Sequence, residues 1–334
     1  MATSSKIVIA GAGSIGCYVG GALALAGRDV RLLLRPRLSE ELRAHGLTIS
    51  DHTGRSRYLA PGQFGLATDP SALATADIIL VTVKSAASAE IAAQINAHAR
   101  PDAVIVSFQN GIGNADTLRA GCGGRMVHPG MVGFNVVQLG KGKFHQATES
   151  ALYVPAREPS LVPLLNVVGL LCRAHADMSS ILWGKLLINL NNALNALSGL
   201  PLYDQLHDIR WRRLLAMMMD EALAVMSRAG ISPAKLTPIP ARWMPILFRL
   251  PSPIFRRVMA AMLTIDRAAR SSMAEDLDMG RTTEIDYLQG AVIALAEKHG
   301  LTAPVCKRVT LAIRQAEIAK AGSPKLAPES LLEN

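Results

Sequence analysis

A glycine-rich loop near the start of the chain has the residue types and spacing to bind the phosphates of a dinucleotide. It follows a β-branched run at residues 7–9 and precedes an apolar helical pattern at residues 19–26. In that setting the first glycine allows a tight turn, the second lets the backbone approach a pyrophosphate, and the third lets the helix pack close to the strand. The helix N-terminus adds unpaired N–H groups and a positive dipole end. We therefore predict a pyrophosphate-binding loop, rather than a turn without a ligand, formed by Gly11, Ala12, Gly13, Ser14, Ile15 and Gly16.

Two arginines follow the second predicted strand, at residues 28–34. Enzymes that use NAD carry an acidic residue near this point to bind the ribose 2′-hydroxyl, but this chain has Arg35 there and Arg37 two residues later. A guanidinium at that position would bind a 2′-phosphate through charge-assisted hydrogen bonds. The pattern favours NADP(H) over NAD(H) as the cofactor. The alternative is that both arginines are solvated loop residues.

Two more polar residues stand where buried strands are predicted to end. The apolar runs at residues 76–83 and 102–108 are typical of parallel strands buried on both faces. Lys84 follows the first run, and Asn110 comes just after the second. Ligands of doubly wound sheets bind beyond the carboxyl ends of the strands, so both residues are candidate ligand contacts. The alternatives are a surface lysine and an ordinary Asn-Gly turn.

A helical pattern over residues 182–197 carries a lysine and two asparagines on one face. Lys185, Asn189 and Asn192 stand at positions i, i+4 and i+7, and leucines cover much of the remaining surface. Buried polar groups need partners, so this face is predicted to line a polar cleft, the alternative being a solvated stripe. A second group of polar residues, SSM followed by RTTEIDY, is also a candidate for the site. The alternative is that it consists of a capping serine and a solvated acidic helix start.

The elements that must position these residues form two regions. Strand and helix signals alternate up to about residue 155, and strand signals end at about residue 175. We predict an α/β fold with an N-terminal Rossmann-type doubly wound sheet followed by an all-helical C-terminal domain. Its predicted helices span residues 182–197, 211–228, 254–270 and 272–299, with a proline-punctuated stretch at 233–253. The predicted domains are an NADP-binding domain at residues 1–175, a helical substrate and dimerisation domain at 176–325, and a tail at 326–334.

Composition excludes several classes of protein. No apolar run reaches membrane-spanning length, the start of the chain shows no signal-peptide pattern, and the four cysteines are scattered as in a reducing cytoplasm. Neither the cysteines nor the eight histidines show metal-ligand spacing, so no metal is expected. The net charge of +9 would suit nucleic-acid or membrane binding, but no nucleic-acid motif is present and a solvated basic surface is favoured. We expect a cytoplasmic protein with a small-molecule substrate and neither nucleic-acid nor membrane partners.

Five motifs together make the chain resemble the ketopantoate reductases (2-dehydropantoate 2-reductases) over nearly its whole length. They are GAGSIG, VTVK with Lys84, QNGIG with Asn110, WGKLLIN with Lys185, and SSM…RTTEIDYLQG with Ser272 and Glu284. The family combines an NADP-binding Rossmann domain with a helical domain. Its members use NADPH to reduce the keto group of 2-dehydropantoate, which gives pantoate, a vitamin B5 precursor. The resemblance implies the same cofactor and reaction here, with a homodimer as one candidate assembly.

The resemblance also implies roles for residues of the helical half. Lys185 aligns with the family's general acid, an ammonium that would polarise the C2 carbonyl and protonate the alkoxide as hydride arrives. Asn189 aligns with a substrate-binding asparagine. The family's second asparagine usually lies eight positions after the lysine, where this chain has Ala193. We expect Asn192 to substitute for it, and favour Asn195 less.

Four further residues receive roles from the same resemblance. Ser272 aligns with a residue that binds the substrate carboxylate, and Glu284 with a carboxylate near the lysine and the cofactor. Lys84 and Asn110 align with residues that hold the cofactor, and Asn110 also reaches the substrate. The loop around Phe134 would touch the nicotinamide half through its backbone, although MVGFNVV departs from the family's local pattern.

A straight helix would place Ser272 and Glu284 about 18 Å apart, too far for both to contact one small keto acid. We therefore predict a break or kink within residues 278–281, where Gly280 weakens the helix.

Two alternatives to this function remain open. The Ala193 departure and the stretch at residues 233–253 leave room for a reductase of another branched 2-keto acid or an opine-type imine. A non-catalytic NADP-sensing protein is the other alternative. Lys185 and Glu284 argue against it, because a sensor needs neither.

Overall fold

The computed structural model describes residues 5–260, 267 and 269–332, and the chain divides after Met178 into two compact units. The strands of the first unit are β1 (Lys6–Ala10), β2 (Asp29–Leu33), β3 (Leu47–Asp51), β4 (Ser56–Leu59), β5 (Gly65–Ala67), β6 (Ile78–Val81), β7 (Val104–Ser107), β8 (Val127–Pro129), β9 (Met131–Val132), β10 (Val136–Gly140), β11 (Lys143–Gln146), β12 (Leu152–Pro155) and β13 (Cys172–His175). Its helices are α1 (Ser14–Leu25), α2 (Pro36–His45), α3 (Ser88–His98), α4 (Asn114–Gly121) and α5 (Leu161–Leu165).

Six strands form the predicted parallel sheet, in the order β5-β2-β1-β6-β7-β8. In β1, Ile7 and Ile9 pack into one hydrophobic core while Val8 and Ala10 pack into the other. Successive side chains of a strand point to opposite faces, so the continuous apolar run reflects burial on both sides of the sheet. The predicted Rossmann-type doubly wound sheet is confirmed.

Two smaller sheets complete the first unit. One has the order β10-β11-β3-β4 and the other the order β13-β12-β9. Tyr18 of α1 hydrogen-bonds Gln146 of β11 through its hydroxyl at 2.7 Å, which ties the four-stranded sheet to the helix that follows the glycine loop. Neither sheet is predicted from the sequence pattern, because their strands are short and mixed in polarity.

The second unit is helical across the residues described. Its helices are α6 (Met178–Asn189), α7 (Asn191–Ser198), α8 (Leu202–His207), α9 (Ile209–Arg228), α10 (Met244–Arg249), α11 (Ser252–Ala260), α12 (Ser272–Asp278), α13 (Gln289–Lys298) and α14 (Pro304–Ala319). No helix among the described residues is both long and apolar enough to cross a bilayer.

Two of the predicted long helices are interrupted. The helix predicted over 182–197 is present as α6 and α7, which divide at Leu190. That residue keeps right-handed helical angles, and its carbonyl accepts a hydrogen bond from Gln289 Nε2 at 2.8 Å. The helix predicted over 272–299 is wrong as one element. It breaks after Asp278, and Gly280 has a φ of +62°. The break predicted within residues 278–281 is therefore confirmed. Residues 254–260 of the helix predicted over 254–270 are helical and belong to α11, and residues 261–266 and 268 lie outside the part of the chain that the structure describes.

A buried arginine anchors the segment after the proline-punctuated stretch to α9. Arg212 has no exposed surface, and its guanidinium donates to the carbonyl oxygens of Leu206, His207, Phe248 and Leu250 and to Ser252 Oγ. The guanidinium carbon lies 4.1 Å from the centre of the Phe255 ring. No carboxylate in the described ranges forms an ion pair with it, so the ends of α8 and α10 provide most of its partners.

Candidate active site

The glycine loop joins β1 to α1 with the geometry that phosphate binding requires. Gly11 has a φ of +79°, and a Cβ there would lie 2.1 Å from Val83 Cγ1, so only glycine fits this turn. A Cβ on Gly16 would lie 2.5 Å from Thr82 Oγ1, because α1 packs closely on the sheet. A Cβ on Gly13 would meet no atom within 4 Å. The space above Gly13 is therefore open to a ligand.

The remaining loop residues complete the start of α1. Ala12 is buried in the core, and Ser14 and Ile15 form the first helical residues. The first turn contains no acidic residue, and no side chain caps it. Its backbone N–H groups and the helix dipole therefore present positive charge that no carboxylate of this turn offsets.

Arg35 lies beside this loop because β1 and β2 are paired. The N–H groups of Gly11 and Ala12 both donate to Leu33 O, at 3.0 and 2.9 Å, which joins the loop to the end of β2. Arg35 is exposed, two residues further on, at the N-terminal boundary of α2. The turn after β2 carries no carboxylate before Glu40. A guanidinium in this place is suited to an anionic group bound next to the glycine loop.

Lys84 and Asn110 lie beyond the carboxyl ends of β6 and β7, which are neighbours in the sheet. Both residues are exposed. Thr82 Oγ1 donates to Gly11 O at 3.0 Å, so the turn that carries Lys84 is bonded to the glycine loop. The predicted nucleotide contacts of the first unit therefore meet at one edge of the sheet.

A buried polar network connects the turns that follow β6 and β7. Asn114 Nδ2 donates to Asn110 O at 2.7 Å and to Ser85 Oγ at 3.1 Å, and Ser85 Oγ donates to the same carbonyl at 2.9 Å. Ser88 Oγ lies 2.8 Å from Asn114 Oδ1 and accepts from Gln109 Nε2 at 2.7 Å. These contacts hold the backbone of Asn110 in place. These partners are not predicted from the sequence, where the signal is a set of polar residues around two predicted strand ends.

The loop around Phe134 belongs to the core of the first unit. The Phe134 ring is buried and packs edge-on against Tyr18, with ring centres 5.6 Å apart. The neighbouring N–H of Gly133 donates to Ala151 O at 2.9 Å. That N–H is thus already used within the small sheets.

In the second unit, Lys185 and Asn189 lie one turn apart on α6. Lys185 is partly buried, and removal of water from its ammonium lowers its pKa to about 8. Asn189 is buried. Gly184 lets another segment pass close by, since a Cβ there would lie 2.7 Å from Ala234 O. A lysine whose pKa lies this near neutrality can give up or take a proton at physiological pH.

Two of the asparagines after Lys185 are occupied by structural hydrogen bonds. Asn191 and Gln205 exchange two hydrogen bonds through their side-chain amides, at 3.1 and 2.8 Å. Asn195 is fully buried, accepts from Ser271 N at 2.8 Å and donates to Leu200 O at 2.8 Å. The side-chain amide of Asn195 is therefore committed to structural partners through both its oxygen and its nitrogen.

The side-chain amides of Asn189 and Asn192 have no hydrogen-bond partner within the described residues, which leaves both able to bind a ligand. Ser271 Oγ donates to Asn192 O at 3.0 Å and accepts from Ala274 N at 3.2 Å, so it both caps α12 and fixes it to α7. Ser272 is exposed as the first residue of α12. The capping serine is thus Ser271, and Ser272 is brought into the neighbourhood of Asn192.

Glu284 is partly buried and precedes a short 3₁₀ turn ahead of α13. The adjacent Thr283 N donates to Glu317 Oε1 at 2.6 Å. Gln289 Nε2 reaches Leu190 O at the junction of α6 and α7. The segment that carries Glu284 is therefore fixed to α14 on one side and to the helices of Lys185 and the free asparagines on the other.

Two family models match the chain in succession. A model described as "Ketopantoate reductase PanE/ApbA" matches residues 7–159, and one described as "Ketopantoate reductase PanE/ApbA C terminal" matches residues 177–317. The two matches fall on the two units in turn and leave few residues uncovered.

Individual relatives cover the chain almost from end to end. The 2-dehydropantoate 2-reductase of Halobacterium salinarum is 28% identical over 331 residues, which span 93% of this chain and 99% of the relative. The crystal structure of a PanE/ApbA family ketopantoate reductase from Ralstonia eutropha JMP134 matches with a TM-score of 0.80 at 27% identity, over 94% of this chain and 99% of that one. The ternary structure of D-mandelate dehydrogenase with NADH and anilino(oxo)acetate matches with a TM-score of 0.77 at 19% identity, over 94% and 99% of the two chains. The last match is a likeness of fold alone.

Proposed function

The chain belongs to the ketopantoate reductase family, and from this membership we propose that it is an NADPH-dependent reductase that converts 2-dehydropantoate (ketopantoate) to pantoate in pantothenate biosynthesis. The observation that carries the proposal is Lys185, an ammonium of lowered pKa one helical turn from an amide without a partner. We assign residues 1–175 to binding of NADP and residues 176–325 to substrate binding and dimerisation, with residues 326–334 as a tail.

The first unit supports the cofactor assignment. The open space at Gly13, the uncapped first turn of α1 and the exposed Arg35 suit a pyrophosphate and a nearby 2′-phosphate. Lys84 and Asn110 would contact the same nucleotide from the neighbouring strand ends. A bound reduced nicotinamide supplies the hydride.

The proposed role of Lys185 is to polarise and then protonate the substrate carbonyl. Its ammonium would donate a hydrogen bond to the C2 oxygen, and the proton would pass to that oxygen as negative charge develops. A pKa of about 8 keeps most of the lysine protonated at neutral pH while making the proton easier to release. Glu284 would lie near the lysine and the cofactor and would help to position both.

The remaining residues would orient the substrate. Asn189 and Asn192 have side-chain amides that can donate to its oxygens, and Ser272 would bind its carboxylate. The structure supports Asn192 over Asn195 for the second amide, since Asn195 is committed to Ser271 and Leu200. A cytoplasmic location is proposed on the four cysteines, which are all buried free thiols. Assembly as a homodimer rests on the family resemblance.

The test is a panel of 2-keto acids assayed with NADPH and with NADH, scored by kcat/KM. Ketopantoate with NADPH is expected to give the highest value. The second candidate is a reductase of another 2-keto acid, for which Ala193, in place of the family's second asparagine, leaves room, and a higher kcat/KM for a different acid would select it. Tight NADPH binding with no turnover on any 2-keto acid or imine would instead identify a nucleotide sensor.

A further inference from the structure

The turn before α10, together with α10 and α11, presents large apolar side chains to solvent among arginines. Trp243, Ile246 and Ile254 are each about half exposed, at 50%, 52% and 51%. Ile246 and Arg249 stand three residues apart on α10, which places them along one face, and Arg242 lies in the turn before that helix. Seven exposed residues form this surface, which we call the exposed stripe: Arg242, Trp243, Ile246, Arg249, Ile254, Arg256 and Arg257.

The opposite sides of these helices are buried. Leu247 and Phe248 of α10 and Phe255 of α11 are nearly inaccessible, and the two phenylalanine rings pack with centres 5.9 Å apart. Arg212 of α9 joins both helices from within through its hydrogen bonds and its contact with the Phe255 ring. The inner sides of both helices are therefore already packed against the core by other residues. The apolar side chains of the exposed stripe take no part in that packing.

The charge of this region is of one sign. Residues 222–265 contain six lysines and arginines and no aspartate or glutamate. Asp220 pairs with Arg249 at 2.5 Å, which leaves Arg242, Arg256 and Arg257 without an ion pair among the described residues. A second copy of the chain would bring like charges together on this face, which opposes self-association. An anionic partner complements it.

We propose that the exposed stripe binds the surface of an anionic lipid bilayer. The tryptophan and isoleucines would enter the boundary between headgroups and acyl chains, and the arginines would contact headgroup phosphates. Tryptophan is enriched at this depth of a bilayer, and long basic side chains reach the headgroups while their stems remain in apolar contact. The inference departs from the expectation that the chain has no membrane partner, and it is independent of the reaction proposed above.

Trp243 makes binding directly observable. The protein has three tryptophans, and the other two, Trp183 and Trp211, are 5% and 2% exposed. Full-length protein is mixed with vesicles of phosphatidylcholine alone or of phosphatidylcholine with phosphatidylglycerol, and flotation and tryptophan emission are recorded. We expect flotation and a blue shift with the anionic vesicles only, both weakened by high salt. No flotation with anionic vesicles overturns the proposal.

Matched substitutions separate this surface from general stickiness. Trp243→Ser with Ile246→Ser should abolish flotation, whereas Ile318→Ser, at an isoleucine 82% exposed on α14, should leave it unchanged. Arg256→Gln and Arg257→Gln should each weaken vesicle partitioning about fivefold, and Lys298→Gln should not. Thermal unfolding verifies that each variant is folded. Equal effects of stripe and control substitutions would show that vesicle binding does not depend on the stripe. A stripe variant that dissolves a dimer, in a protein that binds no vesicle, would show that the stripe is a contact between two copies of the chain.

Discussion

The side-chain amide of Asn114 donates a hydrogen bond to the carbonyl oxygen of Asn110, with the two atoms 2.7 Å apart. Asn114 is buried at the start of α4, whereas Asn110 is exposed beyond the end of β7. Asn114, a buried residue of α4, therefore fixes the peptide of Asn110, which is proposed to contact both cofactor and substrate. The position of the Asn110 peptide therefore depends on a buried side chain of α4.

This relationship predicts a positioning role for Asn114. Asn114→Leu keeps the side-chain size but leaves Asn110 O with one hydrogen bond fewer and removes the acceptor that Asn114 Oδ1 offers to Ser88. We expect the KM for NADPH to rise about tenfold and the free energy of unfolding to fall by about 1–3 kcal/mol. Thr117→Ala, one turn later on α4, removes a local hydrogen bond to Gly113 O and is the control, because it should leave the KM for NADPH unchanged. An unchanged KM in Asn114→Leu would remove the positioning role.

Arg35 is predicted to set the preference for NADPH. Arg35→Ala loses a charge-assisted hydrogen bond to the 2′-phosphate, about 1.5–3 kcal/mol, so the KM for NADPH should rise tenfold or more. The KM for NADH should change little, because NADH has no such phosphate. Arg43→Ala, at an exposed arginine near the end of the same helix, is the matched control. Equal weakening of both cofactors would show that Arg35 does not bind the 2′-phosphate.

Lys185 is predicted to control the pH dependence of turnover. The proton donor must be protonated for reduction, so kcat for reduction should fall as pH rises through about 8, and kcat for alcohol oxidation should rise. Lys185→Ala should lower kcat about a hundredfold and abolish this pH transition while NADPH still binds. Lys235→Ala, at an exposed lysine, serves as the control. A raised KM with kcat intact would assign Lys185 to binding alone.

Gly13 and Gly16 should separate nucleotide binding from folding. A Cβ on Gly13 meets no protein atom within 4 Å, so Gly13→Ala should fold normally and lose NADPH affinity. A Cβ on Gly16 lies 2.5 Å from Thr82 Oγ1 and 2.9 Å from Ile9 Cγ2, so Gly16→Ala should lower the melting temperature as well. Calorimetric titration and thermal unfolding of both variants make the comparison. If Gly13→Ala binds NADPH as the parent does, the ligand does not occupy that space.

His128 is predicted to make the fold less stable in acid. Its ring is buried, its two nitrogens have no hydrogen-bond partner among the described residues, and burial lowers its pKa, with Glu158 at 3.6 Å opposing that shift. As pH falls below about 6.5 the unfolded chain binds a proton that the folded chain does not, so stability falls. Urea unfolding at pH 7.5 and 5.5 should show this loss, and His128→Phe should reduce it. Glu158→Gln should enlarge it, and the opposite order would show that another group controls acid stability.

The sequence predicted those parts of the fold that depend on local patterns. The apolar runs of β1, β6 and β7 identified the parallel sheet, because a strand buried on both faces admits few polar residues. Gly280 identified the break after α12, because glycine is costly inside a helix. The division at Leu190 carries no such residue. It coincides with a hydrogen bond from Gln289, which lies 99 positions away and could not be inferred from spacing.

The candidate site shows the same division. Periodicity placed Lys185 and Asn189 on one helix face, and the glycine spacing identified the loop. Which asparagines are free depended on Gln205 and Ser271, which are distant in sequence and close only in the folded chain. Long-range partners of polar side chains therefore decide which residues of a motif remain able to bind a ligand.

The guanidinium of Arg212 gives the α10–α11 segment a cooperative mode of opening. Its five hydrogen-bond acceptors lie on two stretches of chain, 206–207 and 248–252, so detaching one stretch frees the guanidinium to move and weakens its hold on the other. The backbone amides of this segment should therefore exchange with solvent deuterium as one block, at a free energy below that of global unfolding. The α10–α11 segment, which is proposed to bind the lipid surface, would then also open from the rest of the protein as one block.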